Sequence, residues 1–117
     1  MKKLLLLAGT VLSLTVAANS WAGGDIGAGK AAVEKYGCAA CHGADLNSPI
    51  DPTYPKLAGQ HVDYLEHALV AYQRGGGVAN GRVNAIMNGQ AKALSAKDIE
   101  NITAYIHSLP GSLVLKK

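Results

Sequence analysis

The chain opens on an unbroken apolar run, Leu4 to Ala17, and after it hydrophobic residues return only in stripes with helical spacing. Asp25 reads as the N-cap of a first helix running through Ile26, Lys30, Val33 and Tyr36, and Gly37 follows where a helix C-terminus favours glycine. Asn47-Ser48-Pro49, Asp51-Pro52 and Tyr54-Pro55 crowd three prolines into residues 43–59, which predicts a loop with at most one turn of helix. From Gln60 or His61 to Arg74 the helical period resumes, carried by Val62, Leu65, Leu69 and Tyr72. Gly75-Gly76-Gly77 ends that helix, and Asn80-Gly81 marks a turn. A short helical segment is expected over Arg82 to Asn88, closed by Gly89. Ser95, with Asp98 three positions on, is a variant of the capping box for a last helix. The apolar stripe of that helix is Ile99, Ile102, Tyr105 with Ile106, and Leu109, and Pro110 stops it. No repeat and no strand-like alternation breaks this pattern. The fold class is all-α.

The opening run belongs to a different kind of segment. Met1-Lys2-Lys3 is a short basic stretch, the run itself carries no charge, and Ser20-Trp21-Ala22 puts small residues at the positions an export peptidase requires. Residues 1–22 therefore read as a cleavable signal peptide and residues 23–117 as one domain. The run is shorter than the ~20 apolar residues that span a bilayer, so cleavage and a periplasmic destination are expected rather than stable membrane insertion. Cleavage removes two of the 11 lysines and arginines, leaving 9 against 8 acids. That balance gives no reason to expect a nucleic-acid partner. The remaining 95 residues contain no Phe, and the single Trp leaves with the signal. A core built from Val, Ile, Leu, Ala and five tyrosines is thin for a domain of this size, and a large apolar group would supply the deficit. The glycine-rich stretch Gly24 to Ala31 imitates a phosphate-binding loop, but Ala31 stands where a magnesium-binding hydroxyl is needed and no strand precedes it. Gly27 and Gly29 are better explained as sites of close helix approach.

Cys38-Ala39-Ala40-Cys41-His42 is the stretch that carries chemistry. Two thiols three apart on one helical turn face the same way, as addition to the two vinyl groups of one haem edge requires. The histidine next in line on that face can rise to the iron as the proximal ligand. A thioredoxin-like dithiol needs a βαβ setting that is lacking, and a zinc site needs more paired ligands than two cysteines provide. A disulfide would leave His42 unexplained. Cys38, Cys41 and His42 are therefore expected to hold one covalently bound haem c with its iron. The two propionates would bring the formal charge of the mature protein to about −1.

The iron has a second axial position, for which Met87, His61, His67 and His107 are candidates. Met87 is the only methionine left in the mature chain and is expected in a Gly/Asn-rich stretch between helices, where a core-filling role is weaker. The three histidines lie on or beside helices as surface residues. A thioether and an imidazole together saturate the iron and raise its potential, which gives an electron carrier with no catalytic residue. A labile Met87 would instead open peroxidase or sensing chemistry, and a chain without haem would be a thiol pair.

Four segments extend this reading to a resemblance. They are Cys38 to Gly43; Tyr54-Pro55-Lys56-Leu57-Ala58-Gly59-Gln60-His61 with Tyr64-Leu65; Gly81-Arg82 with Asn84 and Met87; and Leu94-Ser95 through Asp98-Ile99 to Ala104-Tyr105. The chain resembles the class I c-type cytochromes, in particular the small bacterial periplasmic monohaem type that also forms each half of the dihaem cytochromes c. The resemblance implies about four helices wrapped around one haem, with Cys38 and Cys41 as thioether attachments, His42 as proximal ligand and Met87 as distal ligand. It further implies that the Pro55 carbonyl accepts a hydrogen bond from the His42 ring, and that the first and last helices cross through Gly29, Val33, Ile102 and Tyr105. Gly89 stands where this subgroup commonly has Pro, which predicts a looser methionine loop. Arg82 and Gln60 are candidates for holding a propionate or bracing that loop. The implied function is periplasmic transfer of single electrons between transient partners, such as a membrane oxidase or reductase or a periplasmic dehydrogenase. A permanent haem subunit of a dehydrogenase would have the same fold.

Overall fold

The computed structural model describes residues 23–112, so the expected signal peptide and its cleavage point lie outside the described residues. Five helices follow in order: α1 (Ile26–Lys35), α2 (Ala39–His42), α3 (Val62–Arg74), α4 (Ala85–Lys92) and α5 (Ala96–Ser108). No strand occurs among the described residues, and no helix there is long and apolar enough to cross a membrane. The all-α expectation holds. The fifth helix is the single turn α2, formed by the Cys-x-x-Cys-His stretch itself.

The crossing of α1 and α5 is the frame. Asp25 caps α1 by accepting from Ala28 N, and Gly37 leaves the helix at φ 67, a backbone region open to glycine. On the inner face of α1, Gly29 lies so close to α5 that a Cβ there would fall on the Asn101 carbonyl oxygen and within 2.7 Å of the Tyr105 Cβ. Val33 and Ile102 are buried in the same core cluster, so the crossing runs where the resemblance implies. Gly27 is a correction. It is exposed, and its position faces only the Asp25 side chain, so its small size serves no helix contact. Two side chains tie the pair further. Asn101, buried on α5, accepts from Asp25 N at 2.8 Å, and the Tyr36 hydroxyl donates to Asp98 at 2.9 Å.

Asp98 serves two helices. Its carboxylate accepts from Ser95 N and from the Ser95 hydroxyl while Ser95 accepts from Asp98 N, so the capping box is complete. The Ser95 donors first, and the Tyr36 hydroxyl after them, hold the Asp98 carboxyl below its ordinary value.

Helix α3 packs on α5 and on α4. The Gln73 amide on α3 donates to the carbonyls of Ala91 and Leu94, at 2.9 Å each, and so holds the C-terminal end of α4. This shifts α4 from its expected place. It begins at Ala85, not Arg82, and runs through Gly89 to Lys92. A glycine read as a stop is an interior helical residue here, because the turn beyond it is secured by contacts from α3 rather than by local propensity. The proline-rich segment between α2 and α3 contains no helix. It is pinned at Leu46, which is 1% exposed and whose carbonyl accepts from both Leu57 N and Ala58 N.

Two outcomes follow from this frame. Gly29→Ala forces α1 off the α5 backbone, which cannot yield as a side chain would, and should destabilise the protein by about 3 kcal/mol in urea unfolding. A loss near zero would mean the crossing is loose. Asp98→Ala should also be less stable than the parent at neutral pH. Because the folded carboxyl titrates below its ordinary value of 3.8, the stability it contributes is present above that pH and fades as the pH falls through the folded value. The gap between parent and variant should therefore narrow in acid, and an equal gap at pH 7 and pH 3 would refute the assignment.

Candidate functional site

Helices α2, α3, α4 and α5 and the proline-rich loop enclose a cavity of about 290 Å³. Its wall is mainly apolar, with Leu57, Leu65, Leu69, Leu94, Ile102 and Ile106 facing in. Cys38, Cys41, His42, Pro55 and Met87 all line this one space. The three other ligand candidates, His61, His67 and His107, do not line it and are exposed on the outside of the fold.

The α2 turn aims the first group. His42 N donates to Cys38 O at 3.1 Å, which closes the turn and puts both sulfurs and the imidazole on the cavity side. Both thiols are free. Burial pushes the Cys38 thiol above its ordinary pKa, only partly offset by its own backbone hydrogen bond. The wall thus disfavours a thiolate and suits an uncharged sulfur, as in a thioether.

His42 is 7% exposed, and its Nδ1 donates to the Pro55 carbonyl at 2.9 Å. A carbonyl only accepts, so Nδ1 carries the hydrogen and Nε2 is left with its lone pair free. An imidazole held by such a bond is fixed in tautomer and orientation, which is how metal-binding histidines are commonly supported. Tyr54 packs beside it, with ring centroids 6.4 Å apart.

Met87 reaches the cavity from the first turn of α4 and not from a loop. Asn84 caps that turn by accepting from Ile86 N and Met87 N, at 3.1 and 2.9 Å. Asn88 does more. Its amide donates to Tyr72 O at 2.6 Å and to Arg82 O at 2.8 Å, while its oxygen accepts from Asn84 N at 2.8 Å. One side chain therefore ties the methionine turn to the end of α3 and to the strap before α4. The looseness predicted from Gly89 is corrected on this ground. No neighbour lies within 4 Å of a Cβ at Gly89, and the bracing comes from Asn84 and Asn88 instead.

Arg82 and Gln60 also line the cavity. The Arg82 guanidinium lies over the rings of both Tyr64 and Tyr72, at 5.6 Å from each centroid, which holds a fixed positive charge at the rim. In the sequence Tyr72 stood out only as part of the apolar stripe and Tyr64 only within a segment of the resemblance, and Asn88 carried no signal for this role.

The donor set fits a haem. Two cysteine sulfurs, an imidazole with a free Nε2 and a thioether share one apolar space, and the wall supplies no carboxylate that would suit a harder ion.

Comparison with known proteins agrees. The family model described as Cytochrome c matches residues 26–110. Cytochrome c4 of Stutzerimonas stutzeri is 40% identical over 119 residues, covering 97% of this chain and 53% of that protein. Cytochrome c-554(548) of Halomonas halodenitrificans is 44% identical over 89 residues, covering 73% of this chain and 96% of its own length. The solved structure of reduced recombinant cytochrome c4 from Pseudomonas stutzeri superimposes with a TM-score of 0.66 at 39% identity, over 78% of this chain and 48% of that one. The chain thus spans about half the length of the cytochrome c4 proteins it matches, and nearly all of cytochrome c-554(548). With the family match over most of its length and these identities behind it, the chain belongs to the cytochrome c family.

Proposed function

We propose that this protein carries single electrons between transient redox partners on one haem c. Cys38 and Cys41 would hold the haem through thioethers, His42 Nε2 would bind its iron from α2, and Met87 would bind it from α4. The observation that carries the reading is the bond from His42 Nδ1 to Pro55 O, which leaves the other ring nitrogen free in a cavity shared with Met87 and both cysteines. When bound, such a haem would supply a reversible one-electron couple whose potential a Met87 sulfur ligand would raise.

The chain's own residues set the conditions for that exchange. The apolar wall would keep water from a bound iron, and the braced α4 turn would hold Met87 toward it, so these residues would leave little access for peroxide or oxygen. Ile86 and Tyr64 line the cavity and are still 51% and 49% exposed, so they mark its rim and offer partners a small apolar landing surface. Contacts of this kind are brief and cover less than about 1,200 Å² in total. With a mature charge near zero, association should depend only weakly on salt. Residues 1–22 would act as a signal peptide that delivers residues 23–117 to the periplasm, where donors and acceptors of this class meet. The two relatives named above are cytochromes, which supports a carrier over an enzyme.

Replacing Met87 by Ala should abolish the weak red absorption of sulfur-bound ferric haem, lower the potential and let the ferrous protein bind carbon monoxide rapidly. Retention of all three properties would remove Met87 as ligand. Asn88→Ala should leave the haem attached but weaken the same red band and admit carbon monoxide slowly, because the turn then loses three hydrogen bonds. An Asn88→Ala protein with parental spectrum and carbon monoxide kinetics would show that the brace is unnecessary.

A further inference from the structure

On the outside of the fold, two histidines distant in sequence meet. The strand of loop entering α3 is stitched to the end of α5 at successive residues: Gly59 N donates to Ile106 O at 2.9 Å, and His107 Nδ1 donates to Gln60 O at 2.8 Å. His61, the next residue, is thereby brought beside His107, with ring centroids 6.4 Å apart and planes inclined by 27°. Both rings are exposed, and the His61 ring has no hydrogen-bond partner among the described residues. The acceptor Gln60 O obliges His107 Nδ1 to carry the hydrogen, so Nε2 keeps its lone pair and the ring is oriented. That is the support a metal-binding imidazole commonly receives from a backbone carbonyl.

The spacing suits a shared ion. With metal–nitrogen bonds of about 2.0–2.1 Å, two imidazoles on one ion have centroids roughly 4.5–6.4 Å apart as the angle at the metal opens. The observed separation is at the open end of that span, where the angle at the metal is nearly linear, so a tetrahedral ion would require the unbonded His61 ring to turn toward His107. Two nitrogen donors and no carboxylate select copper, nickel or zinc over calcium or magnesium, which require oxygen.

The geometry points to a second metal site, separate from the haem: His61 and His107 bind one divalent ion of the copper–zinc class, with water completing its shell. The binding stands on these two rings alone. Gln60 adjoins both places, since its carbonyl holds His107 and the residue also lines the cavity, but the two rings themselves lie outside that cavity.

Titration calorimetry of the oxidised holoprotein with zinc chloride tests the site. One saturable ion per chain is expected, with copper(II) bound at least about tenfold more tightly than zinc. His61→Ala and His107→Ala should each weaken zinc binding by about tenfold or more, the double variant should add little, and His67→Ala should change nothing. Absence of a saturable ion, parental affinity in either single variant, or loss of binding in His67→Ala would overturn the proposal. The visible spectrum of each variant separates this from the haem reading, since both rings lie outside the cavity and the spectrum should stay parental. A protein without haem that still bound one zinc through His61 and His107 would sink the carrier function and leave this site standing.

Discussion

The structure depends on how little apolar mass it has to work with. The buried core cluster consists of nine side chains, none of them aromatic, yet five helices and a long loop must be held together. Ile99, Ile102 and Ile106 of α5 each contribute about 1.5–3 kcal/mol by burial, which is modest against the entropy of ordering the chain. Much of the inward-facing surface, from Leu57 on the loop to Leu94 before α5, lines the cavity instead of packing against other side chains. A flat apolar group there would complete the core and connect α2 to α4. A haem bound there would be part of the fold's interior as well as its chemistry.

The same shortage explains why polar side chains take on tasks usually given to packing. Asn101 holds the start of α1, Asp98 joins α1 to the cap of α5, Gln73 secures the end of α4, and Asn88 ties its beginning to α3. Each makes contacts to backbone atoms or caps from a position that is wholly or partly shielded, where an unmade hydrogen bond is costly. These four residues fix the relative placement of the helices, and α2 and α4 then deliver nitrogen and sulfur to one space. The gap at Gly29 sets how close α1 and α5 come.

Much of this was legible in the sequence because the signals are local. Asp25 and Ser95 start helices and Gly37 ends one through contacts within three or four residues, and the Cys-x-x-Cys-His turn defines its own geometry. What escaped has its cause at a distance. Gly89 looked like a helix end because nothing nearby shows that Gln73 clamps the turn after it. Gly27 and Gly29 looked equivalent until the phase of α1 turned one toward α5 and the other toward solvent. The role of Asn88 was hidden because its partners, the carbonyls of Tyr72 and Arg82, are backbone atoms that any residues would present. The meeting of His61 with His107 likewise required knowing that residues 59 and 60 hydrogen-bond to the end of α5.

Intact-mass spectrometry of the protein secreted from a host that matures c-type haems, run under denaturing conditions, tests the account most directly. The expected species is a polypeptide beginning at Gly23 that keeps the mass of one haem and offers no thiol to an alkylating reagent. A bare polypeptide with Cys38 and Cys41 both alkylated would contradict it.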